Sequence, residues 1–275
     1  MSTACFELAH SIPARLGELE VLIDQASSLE TANEPLYNAI CRATCVLIAS
    51  HLEGFLKDLT NSLLQDLNFY LGSFDKMPKA MQHEFCRKAA YFEGVPKEEV
   101  EQRISQLKLF FSKNTVNIDL RAFPYKENTN KNPSNHFIQT SMSKLGIPDA
   151  LNLMAIPSYE VVFDGDERTS WLLERSLKKR VSFLYSFPFR ALKGAFTIKK
   201  AGAAKSKKAG STLWHAFIEE VMSRRHAVAH GDSLNNDTTW EELRRDNAKL
   251  RVLMYGLIFS ACSYHSKGVD TEVAV

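Results

Sequence analysis

Apolar residues recur along most of this chain at intervals of three, four and seven, the spacing that places them on one face of an α-helix. Between residues 5 and 30 they are Leu8, Ile12, Leu16, Leu19, Ile23 and Ala26. Asn33 with Pro35 then reads as an Asx cap and a first-turn proline. The helix they open carries Ile40, Thr44, Leu47, Ile48, Phe55, Leu59, Leu63 and Leu67 along one side, and Gly72 ends it. Pro78 and Pro96 open two further helical stretches, the second with Val100, Ile104, Leu107 and Phe111 on one stripe. After a break from Asn114 to Asn135, centred on the polar loop KENTNKNPSN, a short helix spans Ser134 to Leu145. The apolar run SYEVVF (158–163), closed by DGDE, reads as one strand. A helix from Thr169 to Tyr185 follows, with Trp171, Leu172, Leu177, Val181 and Leu184 as its stripe. Ser211 restarts helix through Trp214, Phe217, Ile218 and Val221 to His230-Gly231. Thr238 or Thr239 caps a final helix to about His265. The three tryptophans fall in these stripes or at a helix start, which suits core better than stacking platforms. The pattern predicts an all-α antiparallel bundle, a single helical domain over 1–275, with an inserted irregular middle region at about 114–210.

Composition narrows the function classes. With 45% hydrophobic and 24% charged residues the chain is neither disordered nor a disulfide scaffold. Its five cysteines are scattered without a C-x-x-C pair, which excludes a zinc ribbon and a thioredoxin-type site and suits reduced thiols in the cytoplasm. No uninterrupted apolar run reaches eighteen residues, so no membrane span is expected. No phosphate-cradling glycine loop or nucleophile elbow is present. Net charge is only +2, but eleven of the 34 Lys and Arg residues, and none of the 32 Asp and Glu, fall between Arg175 and Ile218. Within it, ALKGAFTIKKAGAAKSKKAGST is lysine- and alanine-rich with little to bury, so 193–210 reads as a flexible basic loop on an insertion at 158–210. A contiguous positive stretch suits a polyanion, and equally suits a solvated loop.

Chemistry concentrates in SRRHAVAHGD, where Arg224, Arg225, His226 and His230 crowd the end of a helix. Three readings compete. A helix C-terminus favours cations against the macrodipole, which accounts for one or two of the four. A metal site would use His226 and His230, four apart on one face, but Ala227 stands where a zincin has its glutamate. The third is metal-independent RNA cleavage. There the substrate supplies its own 2′-hydroxyl nucleophile, histidine moves protons and arginine holds phosphate.

Arg225, four intervening residues, then His230-Gly231 resembles the signature of the HEPN superfamily, in which a polar residue follows the arginine, here His226. The ending Ala229-His230-Gly231 is similar to common bacterial forms. ASHLEGFLKDL (Ala49–Leu59) resembles the early helix of HEPN-like nucleases, with Glu53 where an acidic residue often stands, and NPSNHFIQTSMSKLGI (Asn132–Ile147) resembles their middle segment. Histidine at 226, where asparagine is common, departs from the pattern, and 158–210 has no counterpart. The resemblance implies a HEPN-type bundle that dimerises, with two copies of the motif in one cleft. It implies a metal-independent endoribonuclease with no cofactor, acting as a toxin or phage-defence effector, in which an antitoxin or defence-system protein is an expected partner. The non-catalytic alternative is a HEPN-like module that binds nucleic acid or a partner protein. Site expectations are Arg225 and His230 as catalytic, His226 in support and Glu53 as an orienting carboxylate. Arg224, Lys199, Lys200, Lys205, Lys207 and Lys208 are expected to contact RNA. One geometric problem stays open: five residues of straight helix set Arg225 and His230 about 140° apart. Unwinding at Gly231, or a two-fold partner supplying the arginine, would solve it.

Overall fold

A computed structural model describes residues 1–91, 94–114, 119, 133–147, 149–189, 212–231 and 238–267. Two long helices, α1 (Ala4–Leu29) and α2 (Glu34–Leu71), form the frame. The Thr3 hydroxyl caps α1 by accepting from the Phe6 amide, and Asn33 does the same for α2 toward Leu36. Gly72 closes α2 at φ +63°, a left-handed conformation that costs a residue with a Cβ about 1 kcal/mol or more. The two helices run antiparallel: Arg15 pairs with Asp58, Glu18 with His51 at 3.3 Å, and Asp66 accepts from the Ala4 and Cys5 amides at 2.6 and 2.9 Å. Asp66 thus serves as an N-terminal anion for α1 from the far end of α2. Burial pushes its carboxyl pKa up, and those two amides pull it back.

The long C-terminal helix α10 (Trp240–Lys267) lies antiparallel to α1, tied by Arg244–Asp24 at 2.8 Å and by Arg251–Glu20, with Cys262 against Cys5 at the far end. It runs parallel to α2, for Tyr37 meets Trp240 and Cys45 meets Asp246. Leu16, Leu19, Leu52, Leu59, Leu250, Leu253 and Ile258 fill the space between the three. Each such side chain contributes roughly 1.5–3 kcal/mol by leaving water. Among the described residues α2 is the one helix long and apolar enough to span a bilayer; here its apolar stripe is packed against α1, α10 and α9 (Leu213–His230). All five cysteines are buried free thiols.

Two smaller helices, α3 (Lys79–Ala90) and α4 (Lys97–Lys113), pack on each other through Phe74, Phe85 and Phe111. The middle of the chain is more helical than its sequence suggests. It holds α5 (Asn135–Lys144), single turns α6 (Ala150–Leu153) and α7 (Pro157–Glu160), and α8 (Glu167–Arg180). Residues 158–163 are therefore not a strand. Pro157 opens α7, a 3-10 turn continues through Val161–Asp164, and Gly165 stops it at φ +76°. Tyr159 and Val162, three apart, are buried, and Phe163 beside them meets the Trp214 ring at 4.8 Å. A lone strand here would have no strand to pair with among the described residues, and the helical turn satisfies its own backbone. The stripe expected on α8 is also shifted: Leu173, Leu177, Val181 and Leu184 are buried, while Trp171 and Leu172 are 55% and 44% exposed. The lysines of the basic loop and most of KENTNKNPSN lie outside the described residues.

Candidate active site

The motif occupies the end of α9. Thr212 and His215 form a reciprocal cap at its start, and Thr212 is the capping residue where Ser211 was expected. Trp214, Phe217, Ile218 and Val221 bury one face, with the Trp214 indole donating to the Met154 carbonyl at 2.9 Å. Gly231 ends the helix at φ +72°, ψ 18°, its amide directed at the Ala227 and Val228 carbonyls. α9 runs antiparallel to α10, as Arg224 meets Asp246 and the Lys249 ammonium lies 5.4 Å from the Phe217 ring.

The four motif residues go to different places. Arg224 turns into the protein and pairs with Asp246, which is 2% exposed, and at 3.6 Å with Glu220. Lys249 reaches the other Asp246 oxygen at 3.2 Å. Burial raises the Asp246 carboxyl pKa, and Arg224, then Lys249, oppose that rise. Arg224 is thus engaged by carboxylates within its own chain. Arg225, half-buried, has no ion pair or hydrogen bond among the described residues. His226 and His230 are exposed and their rings sit 4.1 Å apart, tilted by 54°. Helical spacing explains the pair, since residues four apart lie about 40° from each other.

The helix stays regular through His230, so unwinding at Gly231 does not swing His230 toward Arg225. Within one chain the two leave α9 in directions about 140° apart. Glu53 is not brought to the motif. It accepts from Lys57 at 2.7 Å. Because α9 is antiparallel to α2, and Cys45 already stands at the level of Arg224, Glu53 lies about 12 Å further from the motif's end. Lys199, Lys200, Lys205, Lys207 and Lys208 fall outside the described residues, as does Asp232.

A groove of about 660 Å³ runs beside the motif between α9 and the start of α5. Glu219, Ser223 and His226 line one wall, Ser134, Asn135 and His136 the other. Asn135 fastens the walls, donating to the His215 carbonyl at 3.1 Å and to Glu219 at 2.9 Å. His136 is a groove residue that sequence reasoning passed over. It is ninety residues before His226, and no spacing rule connects them. The segment 132–147 carried the one signal, through its resemblance to the part of HEPN-like nucleases that precedes the motif helix.

The match to a protein-family model decides the lineage: RiboL-PSP-HEPN covers residues 11–258. The chain belongs to the RiboL-PSP-HEPN family. No curated protein and no solved structure matches it. A HEPN assignment agrees with the all-α fold and makes the chain a nuclease-like or RNA-related module. The match takes in the 158–210 segment, for which the superfamily resemblance supplied no counterpart.

Proposed function

We propose that this RiboL-PSP-HEPN protein is a metal-independent endoribonuclease that works as a homodimer in a toxin–antitoxin or phage-defence setting. The observation that carries the reading is the exposed His226–His230 pair, rings 4.1 Å apart, at the end of a helix whose Arg225 has no ion pair among the described residues. Two imidazoles side by side suit a reaction that needs a proton taken and a proton given near neutral pH. One takes the 2′-hydroxyl proton as that oxygen bonds to phosphorus. A protonated imidazole delivers a proton to the 5′-oxygen as its bond to phosphorus breaks. Arg225 grips the phosphorane oxygens, where charge develops. The products are a 2′,3′-cyclic phosphate and a free 5′-hydroxyl. The 140° divergence favours a cleft shared across a two-fold axis, with Arg225 of one subunit serving His230 of the other. The basic loop lysines would add phosphate contacts.

The test is incubation of the purified protein with total RNA in excess EDTA, beside the Arg225→Ala/His230→Ala double mutant. Cleavage by wild type and not by the mutant is expected. An oligonucleotide with one 2′-O-methyl group at the cut site should survive there, and DNA should stay intact. Cutting at the methylated site, or a strict need for Mg²⁺, would overturn the mechanism.

A further inference from the structure

A second cavity, about 380 Å³, opens on the face of α10 turned away from α9, between α10, α8 and the Val161–Asp164 turn. That volume falls in the range of small-molecule sites. Asp246 and the cavity residues Glu241, Arg244, Ala248 and Val252 lie on opposite sides of α10 by helical angle, so this cavity and the histidine pair are separated by the thickness of the helix.

Two tryptophans, Trp171 and Trp240, form its aromatic walls. Trp240 is anchored: its indole donates to Glu30 at 3.1 Å and Arg244 lies 4.8 Å from its ring centre. Trp171 is held on one side by Arg175, 5.4 Å from the ring centre. Its indole N–H finds no acceptor among the described residues, and Arg175 is not a cavity residue, so the ring's cavity side is free. An exposed tryptophan kept in place by a cation is an expensive feature for a surface that binds nothing, since it leaves apolar area in water.

The charges in the lining select the ligand. Glu174 is already held by Arg251 at 2.9 Å and by Lys178 at 2.5 Å, and Arg244 by Asp24 at 2.8 Å. Glu167, Glu241 and Arg245 have no ion pair among the described residues, nor does the Ser170 hydroxyl have a hydrogen bond. Two open carboxylates are acceptors only and repel a polyphosphate, so they call for a ligand with adjacent N–H donors. The tryptophans call for a flat π-system, and the single open guanidinium for one phosphate. We infer that this cavity binds a guanine nucleotide with one phosphate, its base between Trp171 and Trp240, its N1–H and N2 amine on Glu167 or Glu241, and its phosphate on Arg245. The same chemistry is offered by a free nucleotide and by one guanosine of a single-stranded RNA.

The inference does not rest on the nuclease reading, because binding is measured without turnover. Isothermal titration calorimetry of the full chain with GMP, IMP, AMP and guanosine is the experiment. Saturable GMP binding is expected, weaker for IMP, which lacks the N2 amine, and for guanosine, which lacks the phosphate. Trp171→Ala should weaken GMP binding by roughly 5- to 150-fold, the effect of removing one stacked ring, and Arg245→Ala should erase the preference for GMP over guanosine. Trp171 and Arg245 are both exposed, so neither variant should shift the melting temperature, which separates lost binding from lost folding. A G-containing oligoribonucleotide that displaces GMP from a His230→Ala chain would assign the site to an RNA strand, and failure to displace it to a free nucleotide; both uphold the guanine chemistry. No saturable heat with GMP, unchanged binding in both variants, or AMP bound as tightly as GMP would overturn it.

Discussion

Replacing Arg224 by alanine strips Asp246 of its principal partner while leaving it buried. The carboxylate is 2% exposed, and of the groups that hold its raised pKa down Arg224 is the foremost. Breaking a buried ion pair from one side generally costs about 3–5 kcal/mol, because the remaining charge stays desolvated. Lys249 at 3.2 Å still answers one oxygen, which puts the loss at the lower end, about 3 kcal/mol. At roughly 2–4 °C per kcal/mol for a chain of this size, the melting temperature should fall by about 6–12 °C. Arg225→Ala, one residue on, removes a side chain with no ion pair or hydrogen bond among the described residues and should cost less than about 1 kcal/mol. Differential scanning calorimetry of both variants, with RNA cleavage assayed well below either transition, gives a crossed result. Arg224→Ala should melt early and still cleave, and Arg225→Ala should melt like wild type and not cleave. In the double variant Arg224→Ala/Asp246→Asn much of the lost stability should return, since the stranded charge is gone. Equal melting temperatures for the two single variants would refute the assignment of Arg224 to the core and Arg225 to the chemistry.

Mixing an Arg225→Ala chain with a His230→Ala chain should restore part of the cleavage activity if each cleft uses both subunits, whereas a fully active strict monomer would end the composite-site reading. Gly231→Ala forces a Cβ into φ +72° and should cost about 1 kcal/mol through the backbone alone, because that Cβ would meet none of the described residues within 4 Å; a melting curve unchanged from wild type would contradict it. Burial lowers the His265 pKa from 6.5 to about 4, so between those values the unfolded chain binds a proton that the folded chain refuses. Stability should therefore drop as pH falls through that window, by up to about 1.4 kcal/mol per pH unit, and level off below it. The difference between wild type and His265→Leu in urea titrations at pH values of about 7.5, 6 and 4.5 isolates this slope from the opposite one due to Asp66. Neutralising Lys199, Lys200, Lys207 and Lys208 should flatten the salt dependence of RNA binding, by roughly 0.7 in log–log slope for each phosphate no longer neutralised, and an unchanged slope would make the loop a solvated linker.

The frame was legible because its signals are local. Asn33 with Pro35, Gly72, Gly231 and the three-four spacing of leucines each act within one or two turns, and each falls where the sequence puts it. SYEVVF misled because six residues are too few to separate period 2 from period 3.6, and only the packing of Phe163 on Trp214 decides between them. Trp171 misled for the opposite reason: Leu173, two residues on, supplies the stripe instead and frees the tryptophan. The motif itself was visible, but the division of labour inside it was not. Nothing local distinguishes Arg224 from Arg225, and the choice belongs to Asp246, twenty-two residues later in the chain. The groove wall at His136 is a product of topology in the same way.

The Arg224–Asp246 pairing also sets an order on biosynthesis. When α9 has just left the ribosome, the helix has Trp214 and Val221 to lay against earlier elements, but Asp246 and the leucines of α10 are still inside the exit tunnel. Until α10 emerges, Arg224 has no buried carboxylate to turn toward, although α2 is already there for α9 to pack on. A nascent chain therefore carries the whole motif before it has Asp246, so the separation of Arg224 from Arg225 waits on the helix synthesised after them.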